Sequence, residues 1–391
     1  MQHTPKGLRF QIAILGKVNA GKSSFLNLMT GQDTSIVSQQ AGTTTDVVEK
    51  AQELHTFGPV LWLDTAGFGD KTSLAKKRMD KTLKVLDRAD AAVLVFEDEG
   101  EDEKQIEALA AQKNIPLLKV FNQKEKCEAE TNGNTVILNA LDTKKRLEAV
   151  KAVEKALLNI CGQDFEQPAL LGDLVPQGGV VVMIVPIDFE APKGRLILPQ
   201  VQAIRDCLDH DQVIMVCKES EYIKALSSLK GKPDLVVCDS QVVKFMIEST
   251  PKEIKCTTFS VLMARLKGDV NTFAKGAKEI WKLDDGDKIL ISESCTHHAA
   301  DDDIGTVKIP TLMKQKTGKN LIFEHVSGCD FKENLKDYKL IVQCGGCTQN
   351  RRAILSKIAA AEAAGVAITN YGICLSELNG VLDRVLAPFN K

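Results

Sequence analysis

The sequence predicts an α/β protein with mainly parallel sheets, arranged as three successive domains. Three observations carry this. Residues 10–29 run as an apolar strand, a glycine-containing loop and a helix, the order of a phosphate-binding loop. From Gly178 strand and helix patterns alternate, and the strands are continuously apolar, as in a parallel sheet covered by helices. Two later strand patterns, 287–292 and 338–343, are each followed closely by cysteine.

Composition bounds the function. At about 150 residues per domain, 391 residues suffice for two or three domains. With 50 Lys and Arg against 52 Asp and Glu, the net charge of -2 gives no electrostatic case for nucleic acid or an anionic membrane. Aromatic residues make up only 5%, so base-stacking surfaces are not expected either. The longest apolar runs, such as 180–185, are too short to span a bilayer. Eleven cysteines, an odd number, follow an N-terminus with no leader-like apolar segment. The expectation is a cytoplasmic protein with reduced thiols, a subset of them metal ligands.

The first domain is expected over 1–165. Phe10 to Leu15 reads as a strand. Gly16-Lys17-Val18-Asn19-Ala20-Gly21-Lys22-Ser23 then fits a phosphate-binding loop, and Ser24 to Met29 continues as a helix. Backbone N–H groups and the helix N-terminus would receive phosphates, so Gly16, Asn19, Ala20, Gly21, Lys22, Ser23 and Ser24 are candidate binding residues. Lys22 would reach the β- and γ-phosphates and Ser23 a magnesium ion. Gly42 to Asp46 is a polar loop containing Thr44. Val60 to Leu63 reads as a strand ending in Asp64-Thr65-Ala66-Gly67. An aspartate there holds Mg2+, commonly through water, and Gly67 can offer its N–H to a γ-phosphate.

Together these motifs resemble the translation-factor-like GTPases, especially the branch containing Era and MnmE. The resemblance implies GTP and Mg2+, with Thr44 as the switch I magnesium ligand and Asp64 as the switch II residue. Lys22, Thr44, Gly67 and Asn19 are then the catalytic candidates. Phe68 stands where Ras-like enzymes have the glutamine that orients water, so intrinsic hydrolysis should be slow. Asn19 has two readings: a ligand for an activating K+, as the resemblance implies, or a plain polar loop residue. The base-reading motif departs from the family's Asn-Lys-x-Asp, being Asn122-Gln123-Lys124-Glu125. Glu125 can accept the guanine hydrogen bonds from a stem one methylene longer. Gln123 lacks the lysine stem that packs on the base, so weaker affinity is expected. Asn139-Ala140 stands where the family places Ser-Ala against the base. Lys144 to Ile160 reads as a closing helix, broken by Gly162 and Pro168.

The second domain is expected over 166–268. Strands at 180–185, 213–216 and 235–237 alternate with helices at 200–208 and 219–229. Cys207, Cys217, Cys238 and Cys256 lie within or at the ends of these elements and read as small core residues. The charged, proline-containing stretch 186–200 reads as a surface loop. No nucleophile and base pair is evident, so the domain reads as a partner surface.

The third domain is expected over 269–391. The strand 287–292 leads to Cys295-Thr296-His297-His298, and the strand 338–343 leads to Cys344-Gly345-Gly346-Cys347. If both strands lie parallel in one sheet, Cys295, Cys344 and Cys347 gather at its carboxyl edge, where such sheets place their sites. The two glycines should let the backbone curl around a common point. A helix over 350–364, ended by Gly365, should lower the thiol pKa values through its dipole. Three thiolates suit either zinc, with His297 as fourth ligand, or an iron-sulfur cluster with one open iron. A redox pair is a further reading.

This combination, with Ala191-Pro192-Lys193-Gly194-Arg195-Leu196-Ile197-Leu198-Pro199 between the two motif regions, resembles the HydF family of FeFe-hydrogenase maturation GTPases over essentially the whole chain. The family's Cys-x-His and Cys-x-x-Cys are matched at Cys295, His297, Cys344 and Cys347. Gln343 stands where many members have histidine. The resemblance implies a homodimer that binds a 4Fe-4S cluster through three cysteines. It implies a transient diiron precursor, received from radical-SAM hydrogenase maturases and delivered to apo FeFe-hydrogenase. The second domain would mediate dimerisation and the third would hold the cluster. The alternative is an RNA- or ribosome-associated GTPase with a structural zinc domain.

Overall fold

The structure is a computed structural model that describes residues 4–32, 47–68, 75–125, 128–162, 168–187, 196–294, 303–328, 331 and 334–389. The chain divides into two compact units, Met1–Gln167 and Pro168–Lys391.

The first unit is a P-loop fold around a seven-stranded sheet. Its strands are β1 (Phe10–Leu15), β2 (Val48–Leu54), β3 (Gly58–Asp64), β4 (Ala91–Phe96), β5 (Leu117–Asn122), β6 (Glu130–Asn132) and β7 (Thr135–Leu138). Their order is β2-β3-β1-β4-β5-β7-β6, with β2 antiparallel to β3 and β6 antiparallel to β7. The remaining pairs are parallel, so β1, β3, β5 and β7 all deliver their carboxyl ends to one edge. The central strand β4, Ala-Ala-Val-Leu-Val-Phe, is buried throughout. It escaped the sequence reading although its unbroken apolar run is the signature of a strand covered on both faces.

The second unit carries two four-stranded, wholly parallel sheets. One contains β8 (Val180–Ile184), β9 (Val213–Cys217), β10 (Leu235–Cys238) and β11 (Lys255–Thr258) in the order β11-β10-β8-β9. The other contains β12 (Lys288–Glu293), β13 (Ile322–Ser327), β14 (Leu340–Gln343) and β15 (Ala367–Asn370) in the order β13-β12-β14-β15. The expected boundary near 268 falls inside this unit. The helices Phe259–Lys267 and Val270–Lys278 are separated only by Gly268 and the N-cap Asp269. One apolar cluster includes Val182, Val236 and Val261 together with Leu290, Ile341 and Ile358, so both sheets drain into a common core.

Two local expectations change. The loop after β8 ends earlier than expected, because a helix already starts at Leu198. Pro199 suits a first helical turn, and the Gln200 side chain accepts the Ile197 N–H. The expected helix over 219–229 is a 3-10 turn, Glu219–Glu221, followed by the short helix Tyr222–Ser228, with Leu229 extended. Cys207, Cys238 and Cys256 are fully buried and pack in the core, as expected, whereas Cys217 is half-buried on the edge strand β9.

Candidate functional site

Two candidate centres form at parallel-sheet carboxyl edges, one in each unit. In the first, β1 ends at Leu15 and the chain turns through Gly16 into the helix Lys22–Thr30. Lys22 is buried, and its Nζ donates to the carbonyls of Gly16 at 3.0 Å and Lys17 at 2.8 Å. Burial pushes the Lys22 pKa down, opposed by Asp64. Ser23 Oγ donates to Asp64 Oδ2 at 3.2 Å. Burial pushes the Asp64 carboxyl up, against the pull of Lys22 and the Ser23 hydroxyl. Asp64 Oδ1 is buried without a hydrogen-bond partner. A buried carboxylate oxygen left unmatched beside a hydroxyl is a hard-oxygen donor set that suits Mg2+.

The strand that carries Asp64 is locked to the loop. Phe68 N–H donates to Gly16 O at 3.3 Å, and Val18 N–H donates to Phe68 O at 3.2 Å. This leaves no room for a side chain at Gly67: a Cβ there would stand 2.7 Å from the Val18 backbone and 2.8 Å from Lys22 Nζ. Phe68 itself is buried in an apolar cluster with Leu15 and Leu94, which accounts for an apolar residue here.

Asn19 is exposed and left-handed, with φ 66°. Asparagine tolerates that conformation better than most residues, a local reason for its presence that requires no ion. Asn122 is buried and joins two loops: its Nδ2 donates to Ala20 O at 3.3 Å, and its Oδ1 accepts Ala140 N–H at 3.0 Å. Asn139 Nδ2 donates to Lys124 O at 2.7 Å and so braces the segment carrying Glu125, which is exposed. Gly16, Ala20, Gly21, Lys22, Ser23, Ser24, Asp64, Gly67, Asn122 and Ala140 therefore surround one sheet edge. Thr44 lies outside the described residues. The sequence reading missed Lys17, whose Nζ lies 2.7 Å from Glu103 Oε2, a carboxylate buried at the start of the helix Glu101–Gln112.

In the second unit, β12 and β14 are parallel neighbours with Ser292 opposite Gln343. The cysteine loop leaves β14 directly. Cys344 N–H donates to Ser292 O at 2.8 Å, and Ser294 N–H donates to Cys344 Sγ at 3.1 Å. Only one of the two glycines is needed for the curl. Gly346 has φ 61°, whereas Gly345 does not adopt a left-handed conformation.

Gln343 is 1% exposed and does more than displace a histidine. Its Nε2 donates to Ser294 Oγ at 3.1 Å and approaches Cys344 Sγ at 3.5 Å. Its Oε1 accepts from the buried Lys357 Nζ at 3.1 Å, and Lys357 also donates to Ser292 Oγ at 3.3 Å. A second buried lysine, Lys267, donates to the carbonyls of Gly346 at 3.3 Å, Cys347 at 3.5 Å and Gln349. Burial lowers its pKa to about 8, with Cys347 and Cys344 opposing the shift. Gln349 is buried, and neither its Nε2 nor its Oε1 has a hydrogen-bond partner. Soft sulfur donors, a nearby cation and an unsatisfied amide fit an anionic metal centre.

The expected lowering of the thiol pKa values is reversed at Cys347. Burial raises it first and the neighbouring Cys344 adds to this, outweighing Lys267. The helix Arg351–Ala364 begins four residues further on, and its Ala353 N–H is already engaged by the Asn350 side chain. Cys295 and His297 lie outside the described residues, and among the described residues no three His, Cys, Asp or Glu side chains gather as a metal site. Also among the described residues, no helix is long and apolar enough to cross a membrane.

Comparison with known proteins gives three family matches in chain order. Residues 11–123 match a 50S ribosome-binding GTPase model, 170–268 the hydrogen maturase F dimerization domain, and 271–388 the hydrogen maturase F tetramerization domain. The chain is 41% identical over 100 residues to GTPase Der of Wolinella succinogenes, covering 25% of this chain and 21% of that one. It is 34% identical over 175 residues to tRNA modification GTPase MnmE of a Synechococcus species, covering 42% of this chain and 36% of that one. It thus spans about a fifth to a third of the length of these curated relatives. Among solved structures it is similar to Aquifex aeolicus Era bound to GDP.AlF4-, at 18% identity and a TM-score of 0.32, covering 55% of this chain and 97% of that one.

The burial of Cys347 predicts its reactivity. In the full-length chain freed of metal, iodoacetamide alkylation of Cys347, followed by peptide mass spectrometry, should rise only above the pH range of an ordinary thiol. A profile rising below that range would contradict this account of the loop.

Proposed function

The chain belongs to the hydrogen maturase F family, and from that premise we propose that it is a GTP-hydrolysing scaffold for FeFe-hydrogenase maturation, one that binds a 4Fe-4S cluster and passes on a diiron precursor. The observation that carries the proposal is the pairing of two centres in one chain. A phosphate-binding loop with a buried Lys22 and a half-buried Asp64 occupies one sheet edge, and a Cys344/Cys347 loop over buried polar groups occupies another.

In the first centre, Lys22 would turn from the loop carbonyls to the β- and γ-phosphates. Ser23 and Asp64 would hold Mg2+, with Thr44 as a further ligand, and the Gly67 N–H would meet the γ-phosphate. Glu125, with Asn122, Asn139 and Ala140 shaping its loop, would read guanine. Asn19 would bind the activating K+. Phe68 offers no group to orient water, so the reaction would be slow without such an ion.

In the second centre, Cys344 and Cys347 would be joined by Cys295. Covalent continuity favours this, since Ser294, the residue before Cys295, already bonds Cys344 Sγ. A cluster held by three cysteines supplies an iron with an exchangeable position, which is what a carrier of a diiron cargo needs. His297 is the nearest candidate in sequence for that position. Radical-SAM maturases would supply the cargo and apo-hydrogenase would receive it. Residues 1–165, 166–268 and 269–391 would be the nucleotide, dimerisation and cluster segments.

The dimerization and tetramerization matches support self-association, and the fold offers a surface for it. The strand β9 is an edge of its sheet, yet its sequence is Val-Ile-Met-Val-Cys, with Val213 56% and Val216 46% exposed. An exposed apolar edge is a template for pairing with another copy. Val216→Lys should therefore lower the mass of the assembly in light scattering; an unchanged mass removes β9 from the contact.

One set of measurements tests the main reading. Under anaerobic reconstitution with iron and sulfide, the wild-type chain should give iron-sulfur electronic and electron-spin spectra, and Cys295→Ser, Cys344→Ser and Cys347→Ser should each lose most of them. Lys22→Ala should lose GTP hydrolysis by at least about a hundredfold and keep the cluster. Stimulation by K+ over Na+ should vanish in Asn19→Gly, which preserves the left-handed turn. Stoichiometric zinc with no cluster would favour the ribosome-associated alternative.

A further inference from the structure

The last helix of the dimerisation segment is hooked into the cysteine loop by two cations pointing opposite ways along the chain. Lys267 ends the helix Phe259–Lys267 and is 2% exposed. Its ammonium reaches the Gly346, Cys347 and Gln349 carbonyls, which belong to the loop between β14 and the next helix. Arg351 opens that next helix and reaches back. Its Nη1 donates to the carbonyls of Arg265 at 3.1 Å, Leu266 at 2.7 Å and Gly268 at 3.1 Å. These carbonyls lie at the C-terminus of the helix that ends with Lys267, where backbone acceptors lack intrahelical donors and a cation is favoured. Each element thus satisfies backbone carbonyls of the other, those of the loop in one direction and those at the helix C-terminus in the other.

The strength of the arrangement follows from burial. An ammonium withdrawn from water keeps its charge only where acceptors surround it, and the carbonyls of a curled loop are such acceptors only while the loop stays curled. The lysine therefore favours the one loop conformation that turns three carbonyls toward it. Gly346, in its left-handed conformation, supplies one of them. The same side chain fixes a positive charge beside a site whose protein ligands are thiolates.

We propose that Lys267 and Arg351 form a reciprocal clasp through which the dimerisation segment holds the Cys344/Cys347 loop in its ligating shape, with Lys267 as the fixed countercharge of the metal centre. The countercharge half rests on the cluster reading given above. The clasp half does not, because it is a property of the metal-free chain. Lys267 and Arg351 are positioning residues: neither is a ligand, and each acts through the loop.

The test separates the two halves. Hydrogen exchange by mass spectrometry is measured on the full-length, metal-free chain for wild type, Lys267→Met, Lys267→Arg and Arg351→Met. Exchange of residues 344–350 should rise by about tenfold in Lys267→Met and Arg351→Met, while β12 and β14 keep their protection. Lys267→Arg should stay closer to wild type. If Lys267→Met loosens the whole unit, Arg351→Met, which leaves the buried lysine in place, decides the matter. Unchanged exchange of 344–350 in Arg351→Met overturns the clasp. After anaerobic reconstitution, the midpoint potential of the cluster should fall in Lys267→Met, since loss of a nearby positive charge disfavours the reduced, more negative form. Lys267→Arg should restore it. A cluster that loads into Lys267→Met at an unshifted potential overturns the countercharge. Failure of the wild type to bind iron would instead overturn the cluster reading, with the exchange result still standing on its own.

Discussion

Parallel strand order is the constraint on which the rest of this structure depends. Strands that run the same way bring their carboxyl ends to one edge, and the loops that leave there must lie side by side. In the first unit that edge collects the ends of β1, β3, β5 and β7, and with them Gly16, Asp64, Asn122 and Ala140. In the second unit it collects the ends of β12 and β14, and with them Ser294 and Cys344. Residues far apart in sequence become neighbours with no need for dedicated long-range contacts between them.

Both edges then use the same physical device, a cation buried among backbone carbonyls. Lys22 rests on the carbonyls of Gly16 and Lys17, and Lys267 on those of Gly346, Cys347 and Gln349. A buried ammonium held by neutral acceptors is well placed to meet an anion, because the cost of desolvation has already been met in folding. Under the proposed function the anion would be a phosphate at the first edge and a thiolate-ligated metal centre at the second. Gln343 and Lys357 extend this second polar layer beneath the sheet end, and Gln349 leaves an amide to be satisfied.

How much of this could be read in the sequence depended on distance along the chain. The phosphate-binding loop and the Cys-x-x-Cys pair are contiguous, so their residues and even the limits of β1 are legible. The strand limits around them are legible to within a few residues because continuous apolar runs stop at polar ends. Lys267 was not legible as part of the cysteine site, since its contacts lie about eighty residues away. One sign was available: it falls four residues after Met263 and three after Ala264, on a helix most of whose residues are buried. In the sequence Gln343 is legible only as a departure from histidine, because its bonds to Ser294 and Lys357 cross between elements. The thiol pKa expectation failed for a related reason. A helix start is visible in sequence, but the burial that outweighs its dipole at Cys347 is a property of packing.

The central claim is that the second sheet edge holds an iron-sulfur centre while the first holds the nucleotide. Native mass spectrometry of the full-length chain, purified without oxygen and sprayed with bound GDP, tests it most directly. The account predicts one species carrying both the mass of a 4Fe-4S cluster and that of a nucleotide with its magnesium ion, and loss of the cluster mass alone in Cys344→Ser. A chain that carries nucleotide but only zinc, or no metal beyond magnesium, would contradict it.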